Sequence, residues 1–126
     1  MRDIFRETFL GFIRVHLLHH AAKERFFGAE MIDELRRHGY ALSPGTLYPI
    51  LHGLEAAGYL RSEQEVVNGK VRRYYHGTAR GLKALEKLKV KIRELTEEVL
   101  EGEPLPARGG RARRPLSARA APARRR

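Results

Sequence analysis

The sequence predicts a mainly α-helical chain carrying one small β-hairpin, and three observations predict it. Apolar residues recur at intervals of three and four over four separate stretches, the spacing that lines one side of a helix. Asn68-Gly69 separates two β-prone runs, residues 59–67 and 70–76, and that dipeptide is the strongest short signal for a hairpin, because both residues tolerate the positive φ of a type I′ turn. The run from Ser43 to Gly58 carries a helix start and a helix stop within 16 residues.

The first helix is expected from about residue 4 to residue 22. Phe5, Phe9, Leu10, Phe12, Ile13, Leu17 and Leu18 cover more than one of its faces, which predicts burial on two sides, one against its own domain and one against a partner chain. A loop over Lys23 to Phe27 leads to Gly28, after which Ala29, Met31, Ile32 and Leu35 mark a second helix ending at Gly39. In the third helix Ser43 suits the N-cap, Pro44 the first helical position and Gly58 the left-handed stop. Leu47, Ile50, Leu51 and Leu54 form its apolar stripe, leaving Ser43, Thr46, Tyr48, Pro49 and His52 largely off it. The hairpin's returning strand carries Lys70, Arg72 and Arg73, and one of Tyr74 and Tyr75 should fill the core, since neighbours on a strand point to opposite faces. Thr78 is the expected N-cap of a last helix. There Leu82, Leu85, Leu88, Ile92, Leu95 and Val99 recur at a mean close to 3.5 residues, as in a coiled-coil seam that needs a partner.

Helix, helix, capped helix, basic hairpin is the order of a winged helix-turn-helix, in which the third helix enters the major groove of DNA and the hairpin touches flanking phosphates. Its domain is expected over 1–77, a dimerisation helix over 78–101 and a tail over 102–126. Ser43, Gly45, Thr46, Tyr48 and His52 are the expected DNA contacts of the third helix, with Lys70, Arg72 and Arg73 holding the wing on the backbone. A protein-interaction adaptor without sequence-specific DNA contact is the alternative. It would tend to present acidic or large apolar residues on the third helix, where this chain has polar and amphipathic ones.

The strings Ser43-Pro-Gly-Thr-Leu-Tyr-Pro-Ile-Leu-His-Gly-Leu-Glu, Gly69-Lys-Val-Arg-Arg-Tyr-Tyr and Thr78-Ala-Arg-Gly81 resemble the PadR family of bacterial transcriptional regulators. The resemblance spans roughly residues 8 to 100, and the single long helix after residue 78 is similar to the subfamily with a short C-terminal region. It implies a homodimeric winged-helix regulator, usually a repressor, in which the first helix of each subunit packs against the last helix of the other. Phe9, Ile13, Leu85, Leu88, Ile92 and Leu95 are the interface residues this implies. His52 and Gly53 stand where many members carry Arg or Lys. Two-fold symmetry would require a palindromic operator with half-sites about 10 base pairs, or a multiple, apart. Release by a small-molecule effector of unknown identity is expected.

Composition divides unevenly along the 126 residues. The net charge is +10, but residues 102–126 hold eight Arg against one Glu and account for +7, leaving +3 for the rest. An Arg, Ala, Pro and Gly tail of this kind cannot offset its own ordering entropy and should be disordered, as a solvated extension or as an arm for phosphates. The absence of cysteine excludes a disulfide framework and thiolate zinc sites. Charges scattered through the first residues and the interruption of Phe9 to Leu18 by Arg14 and His16 argue against a signal peptide or a membrane span, which makes the cytoplasm the expected address. His16 and His20, one helical turn apart with His19 beside them, could face one ion, but no nearby cysteine or second ligand pair completes a site. A core or interface role is therefore expected for them, with no metal and no cofactor. No nucleophile with an oriented base and no phosphate-cradling glycine loop is visible, so no enzymatic activity is expected.

Overall fold

The computed structural model describes residues 3–101. Four helices and three strands follow in the order α1 (Ile4–Lys23), β1 (Phe26–Phe27), α2 (Gly28–Arg37), α3 (Pro44–Ala56), β2 (Leu60–Val67), β3 (Lys70–Gly77) and α4 (Ala79–Val99). The expected tail over 102–126 lies outside the described residues. Among those described, no helix is long and apolar enough to cross a membrane.

Local chemistry accounts for most element ends. The Asp3 carboxylate accepts from the Phe5 amide at 3.0 Å to open α1. Gly39 and Gly58, both at positive φ, close the turns after α2 and α3. Asn68 (φ 51°) and Gly69 (φ 77°) make the I′ turn that sets the hairpin register, with Val67 opposite Lys70 and Leu60 opposite Gly77. The Thr78 hydroxyl accepts from the Gly81 amide at 3.0 Å and donates to the Gly58 carbonyl at 2.6 Å, so one side chain caps α4 and ties it to the turn that ends α3.

Two expectations require correction. Ser43 occupies the N-cap of α3, but its side chain makes no capping bond. Its carbonyl accepts from Thr46 and Leu47, while its hydroxyl donates to the Thr46 hydroxyl at 3.4 Å. The expected loop over Lys23 to Phe27 contains a strand, β1, which extends the hairpin to a three-stranded antiparallel sheet of order β1-β3-β2. Two residues are too short for any periodicity. They become a strand because β3 offers a free edge, with Phe26 opposite Tyr75 and Phe27 opposite Tyr74, and because the Phe26 ring enters the core beside Tyr75.

The core joins Ile13 and Leu17 of α1, Leu35 of α2, Leu47 and Leu51 of α3, Leu60 of β2 and Tyr75 of β3, all fully buried. Tyr75 is thus the core tyrosine of the pair. Its hydroxyl has no hydrogen-bond partner among the described residues, and burial raises the phenol's pKa. Tyr75→Phe should therefore be neutral or stabilising by up to about 1 kcal/mol, because it removes an unsatisfied buried group. Tyr75→Ala should cost about 3–5 kcal/mol through the cavity it opens. Urea unfolding of both variants measures the contrast, and a large loss in Tyr75→Phe would mean that the hydroxyl is bonded.

The residues expected at a subunit interface separate into two kinds. Ile13 and Leu85 are 0% and 5% exposed in the single chain, so their surface is already covered by their own domain and is not available to a partner. Phe9 and Leu88 are half-buried against the same core. Ile92 and Leu95 are exposed, as are Phe5 and Phe12 on the second side of α1.

Candidate nucleic-acid interface

Burying Leu47, Ile50, Leu51 and Leu54 decides which side of α3 faces solvent. Gly45, Pro49, His52, Gly53 and Ala56 are all exposed, and Gly45, Pro49, His52 and Ala56 follow one another at steps of four, three and four. Apart from His52 these side chains are small, so the helix can approach a groove floor closely. Pro49 supplies no amide to the Gly45 carbonyl, an interruption carried by the packing of the opposite face. Ser43 and Gly45 are exposed and Thr46 is half-exposed at the edge of this face.

Tyr48 lies differently from the expectation. It is half-buried and packs on the core, with its hydroxyl end directly over Gly28, where a Cβ would collide with the ring and the oxygen. A glycine at the start of α2 is what admits the tyrosine. The ring reaches towards His52, at 6.4 Å between centroids, so Tyr48 braces α3 against α2 as well as bordering the exposed face.

Glu55, the acid of α3, is turned onto the sheet. Its carboxylate accepts from the Ser62 amide at 3.0 Å and from the Ser62 hydroxyl at 2.8 Å, and Arg73 donates to that hydroxyl at 3.0 Å. The carboxylate is thereby held against the sheet by hydrogen bonds rather than left on the exposed side of α3. Arg73, expected on the DNA backbone, is exposed and also belongs to this chain of bonds.

Alternation along β3 puts Lys70, Arg72 and Tyr74 on one face and Arg73 with Tyr75 on the other, so the three basic residues are not brought together. Arg25, which sequence reasoning missed, joins the first face. Its guanidinium lies 4.0 Å over the Tyr74 ring, and that of Arg72 lies 4.2 Å over Phe27 while donating to the Tyr74 hydroxyl at 3.3 Å. Arg25 also forms a two-pronged pair with Glu65 and approaches Glu63 at 3.7 Å. The hydrogen bond from Arg25 holds the Glu65 carboxyl below its ordinary pKa. Stacking pre-orders Arg72, and Arg25 offsets the charge of the two carboxylates beside it. No sequence signal announces Arg25, because its place depends on Phe27 pairing with Tyr74 across 47 residues.

The histidines of α1 meet α2. The His16 ring lies 5.2 Å from that of His38 and 5.0 Å from that of Tyr40, and His20 stacks beside His16 at 6.3 Å. Burial first, and then repulsion from neighbouring rings, chiefly His38 on His16 and His19 on His20, keeps both below the ordinary histidine pKa of 6.5, against the opposing pull of Glu34. His19 is lowered by burial and by Lys23, Lys89 and His38. Because the unfolded chain binds protons on these rings more readily than the folded one, stability should be fully present above pH 6.5 and should fall as pH drops from there through the lowered folded-state values. Thermal midpoints between pH 7.5 and 5 test this. His16→Gln with His20→Gln should flatten the profile, and an unaltered profile would assign the acid loss to other groups.

Comparison with known proteins identifies the family and the fold. Residues 17–87 match the family described as the transcriptional regulator PadR-like family. The chain is 51% identical over 98 residues to the transcriptional regulator Rv3488 of Mycobacterium tuberculosis, covering 78% of this chain and 92% of that protein. Among solved structures, a PadR family transcriptional regulator from Eggerthella lenta superposes with a TM-score of 0.68 at 29% identity, covering 76% of this chain and 85% of that one. A PadR-like transcription factor from Bacteroides fragilis superposes with a TM-score of 0.69 at 27% identity, covering 78% and 96%.

Proposed function

Because the chain belongs to the PadR-like family and is therefore a non-enzymatic, DNA-binding transcriptional regulator, we propose that it acts as a homodimeric repressor, released from a palindromic operator by an effector. One observation carries the DNA-reading surface: the exposed side of α3 presents Gly45, Thr46, Pro49, His52 and Gly53, while the helix's acid, Glu55, is bonded to Ser62. An adaptor surface would favour large apolar or acidic groups there.

Ser43, Gly45 and Thr46 approach the phosphates from the start of the helix, His52 reads base edges, and Tyr48 sets the pitch of α3 and borders the contact. Lys70 and Arg72 bind flanking phosphates from one face of the wing. Arg73 contributes through its hold on Ser62. The proposed organisation is a winged domain over 1–77, a dimerisation helix over 78–101 and an arginine arm over 102–126, working in the cytoplasm.

Operator fragments selected from random duplex DNA by the purified chain provide the test. His52→Ala should lose about 1–3 kcal/mol on the selected sequence, with little change on scrambled duplex at the same salt, whereas Thr46→Ala should weaken both duplexes alike. Equal losses on both duplexes for His52→Ala would move sequence reading away from α3. Failure to select any sequence would favour the adaptor.

A further inference from the structure

We propose that His20 of α1, Glu34 of α2 and His38, the residue that caps the C-terminal end of α2, form a binding site for one divalent transition-metal ion of the zinc class, and that occupancy of this site alters DNA affinity. The three side chains offer ligand atoms that all lie within 4.8 Å of one another. Nε2 of His38 and Nε2 of His20 lie 3.2 and 3.9 Å from the same Glu34 oxygen, Oε2. Two ligands about 2.0–2.1 Å from a tetrahedral ion stand about 3.3 Å apart, so small side-chain rotations suffice to close the site. Two imidazoles and one carboxylate suit zinc and its neighbours in the first transition row, whereas magnesium and calcium prefer all-oxygen shells.

A second observation points to a ligand. His20 Nε2 is buried with no hydrogen-bond partner among the described residues, because Glu34 Oε2 at 3.9 Å is beyond hydrogen-bond reach. A metal ion would satisfy this atom. The outer support is present as well: Arg37 donates to the other Glu34 oxygen, Oε1, at 2.7 Å, which orients the carboxylate in the way outer-shell partners orient metal ligands. Glu34 and His38 are one helical turn apart, and His38 is exposed, which gives an ion a way in and leaves a fourth position for water.

The effect on DNA rests on the function proposed above. An ion would clamp α1 to α2, and α2 is seated on α3 through Gly28 and Tyr48. Fixing that pair selects among the positions open to the reading helix.

The experiment has two independent arms on the untagged full-length chain. In calorimetric titration without DNA, zinc should bind at one ion per chain and raise the thermal midpoint, and magnesium should do neither. His38→Ala and Glu34→Gln, at solvent-accessible positions where the fold is retained by circular dichroism, should each weaken zinc by more than the roughly 10- to 100-fold typical of losing an outer partner. His76→Ala should bind as the parent does. No binding by the parent, or equal binding by the ligand variants, overturns the site. In the second arm, operator affinity should differ by about fivefold or more between zinc-loaded and chelator-treated protein. Equal affinities overturn the coupling. Loss of operator binding in both states would count against the DNA reading, with the titration still deciding the site.

Discussion

Replacing Ile92 and Leu95 together by Asp should turn the proposed dimer into a folded monomer. Both side chains are exposed in the single chain, 43% and 57% respectively, so the substitutions remove nothing from the protomer's core. In a dimer that packs the last helices together they would place four carboxylates in a buried seam. An unpaired buried charge costs about 3–5 kcal/mol, which even for one carboxylate per subunit weakens association by on the order of a thousandfold or more. Sedimentation velocity should show the monomer, with helix content unchanged. Operator affinity should collapse in parallel, because two half-sites can no longer be held by one particle. Leu88 is the poorer probe, since it is half-buried against its own core and a charge there would also destabilise the domain. A stable dimer of the double variant would remove this stretch of α4 from the interface.

Gly81→Ala should destabilise the domain although alanine is the better helix former. The gain in helix propensity is about 1 kcal/mol. Against it, a Cβ at position 81 would collide with the Tyr59 carbonyl, a backbone atom in the turn that Thr78 ties to the start of α4. Backbone cannot rotate out of the way as a side-chain tip can, so α4 must shift and loosen the Thr78 bonds. Overpacking of this kind costs about 1–3 kcal/mol, occasionally more, and Gly81→Val should be worse. Gly53→Ala is the control. Its Cβ would meet nothing within 4 Å, so the propensity gain should appear there as stabilisation. Chemical denaturation of the three variants reads the order directly, and a stabilised Gly81→Ala would show that α4 is not seated on the turn.

The same contrast marks how far the chain could be read before folding. The type I′ turn at Asn68-Gly69, the stops at Gly39 and Gly58, the Thr78 cap and the apolar stripe of α3 were legible because each depends on residues within a turn or two of one another. The exposed face of α3 follows from that stripe, so the central part of the candidate DNA surface was legible too. The direction of the Ser43 hydroxyl was not. A serine before a helix can bond the first amides or a neighbouring hydroxyl, and the choice here is a contact with Thr46 that no spacing rule selects.

Other features depend on segments distant in the chain. Phe26-Phe27 becomes a strand only because β3 presents an open edge, and that pairing brings Arg25 over Tyr74 and Arg72 over Phe27. Tyr48 is drawn inward by the vacancy over Gly28, 20 residues earlier. His20 meets Glu34 and His38 only when α1 and α2 pack, which turns an incomplete histidine cluster on one helix into three convergent ligands. The sequence by itself determined the helices, the hairpin and the outward side of α3, because hydrogen bonding and side-chain periodicity act over a few residues. Tertiary structure alone decided the third strand, the ordering of the wing arginines, the half-burial of Tyr48 and the meeting of His20 with α2, because burial and pairing depend on which distant segment arrives alongside.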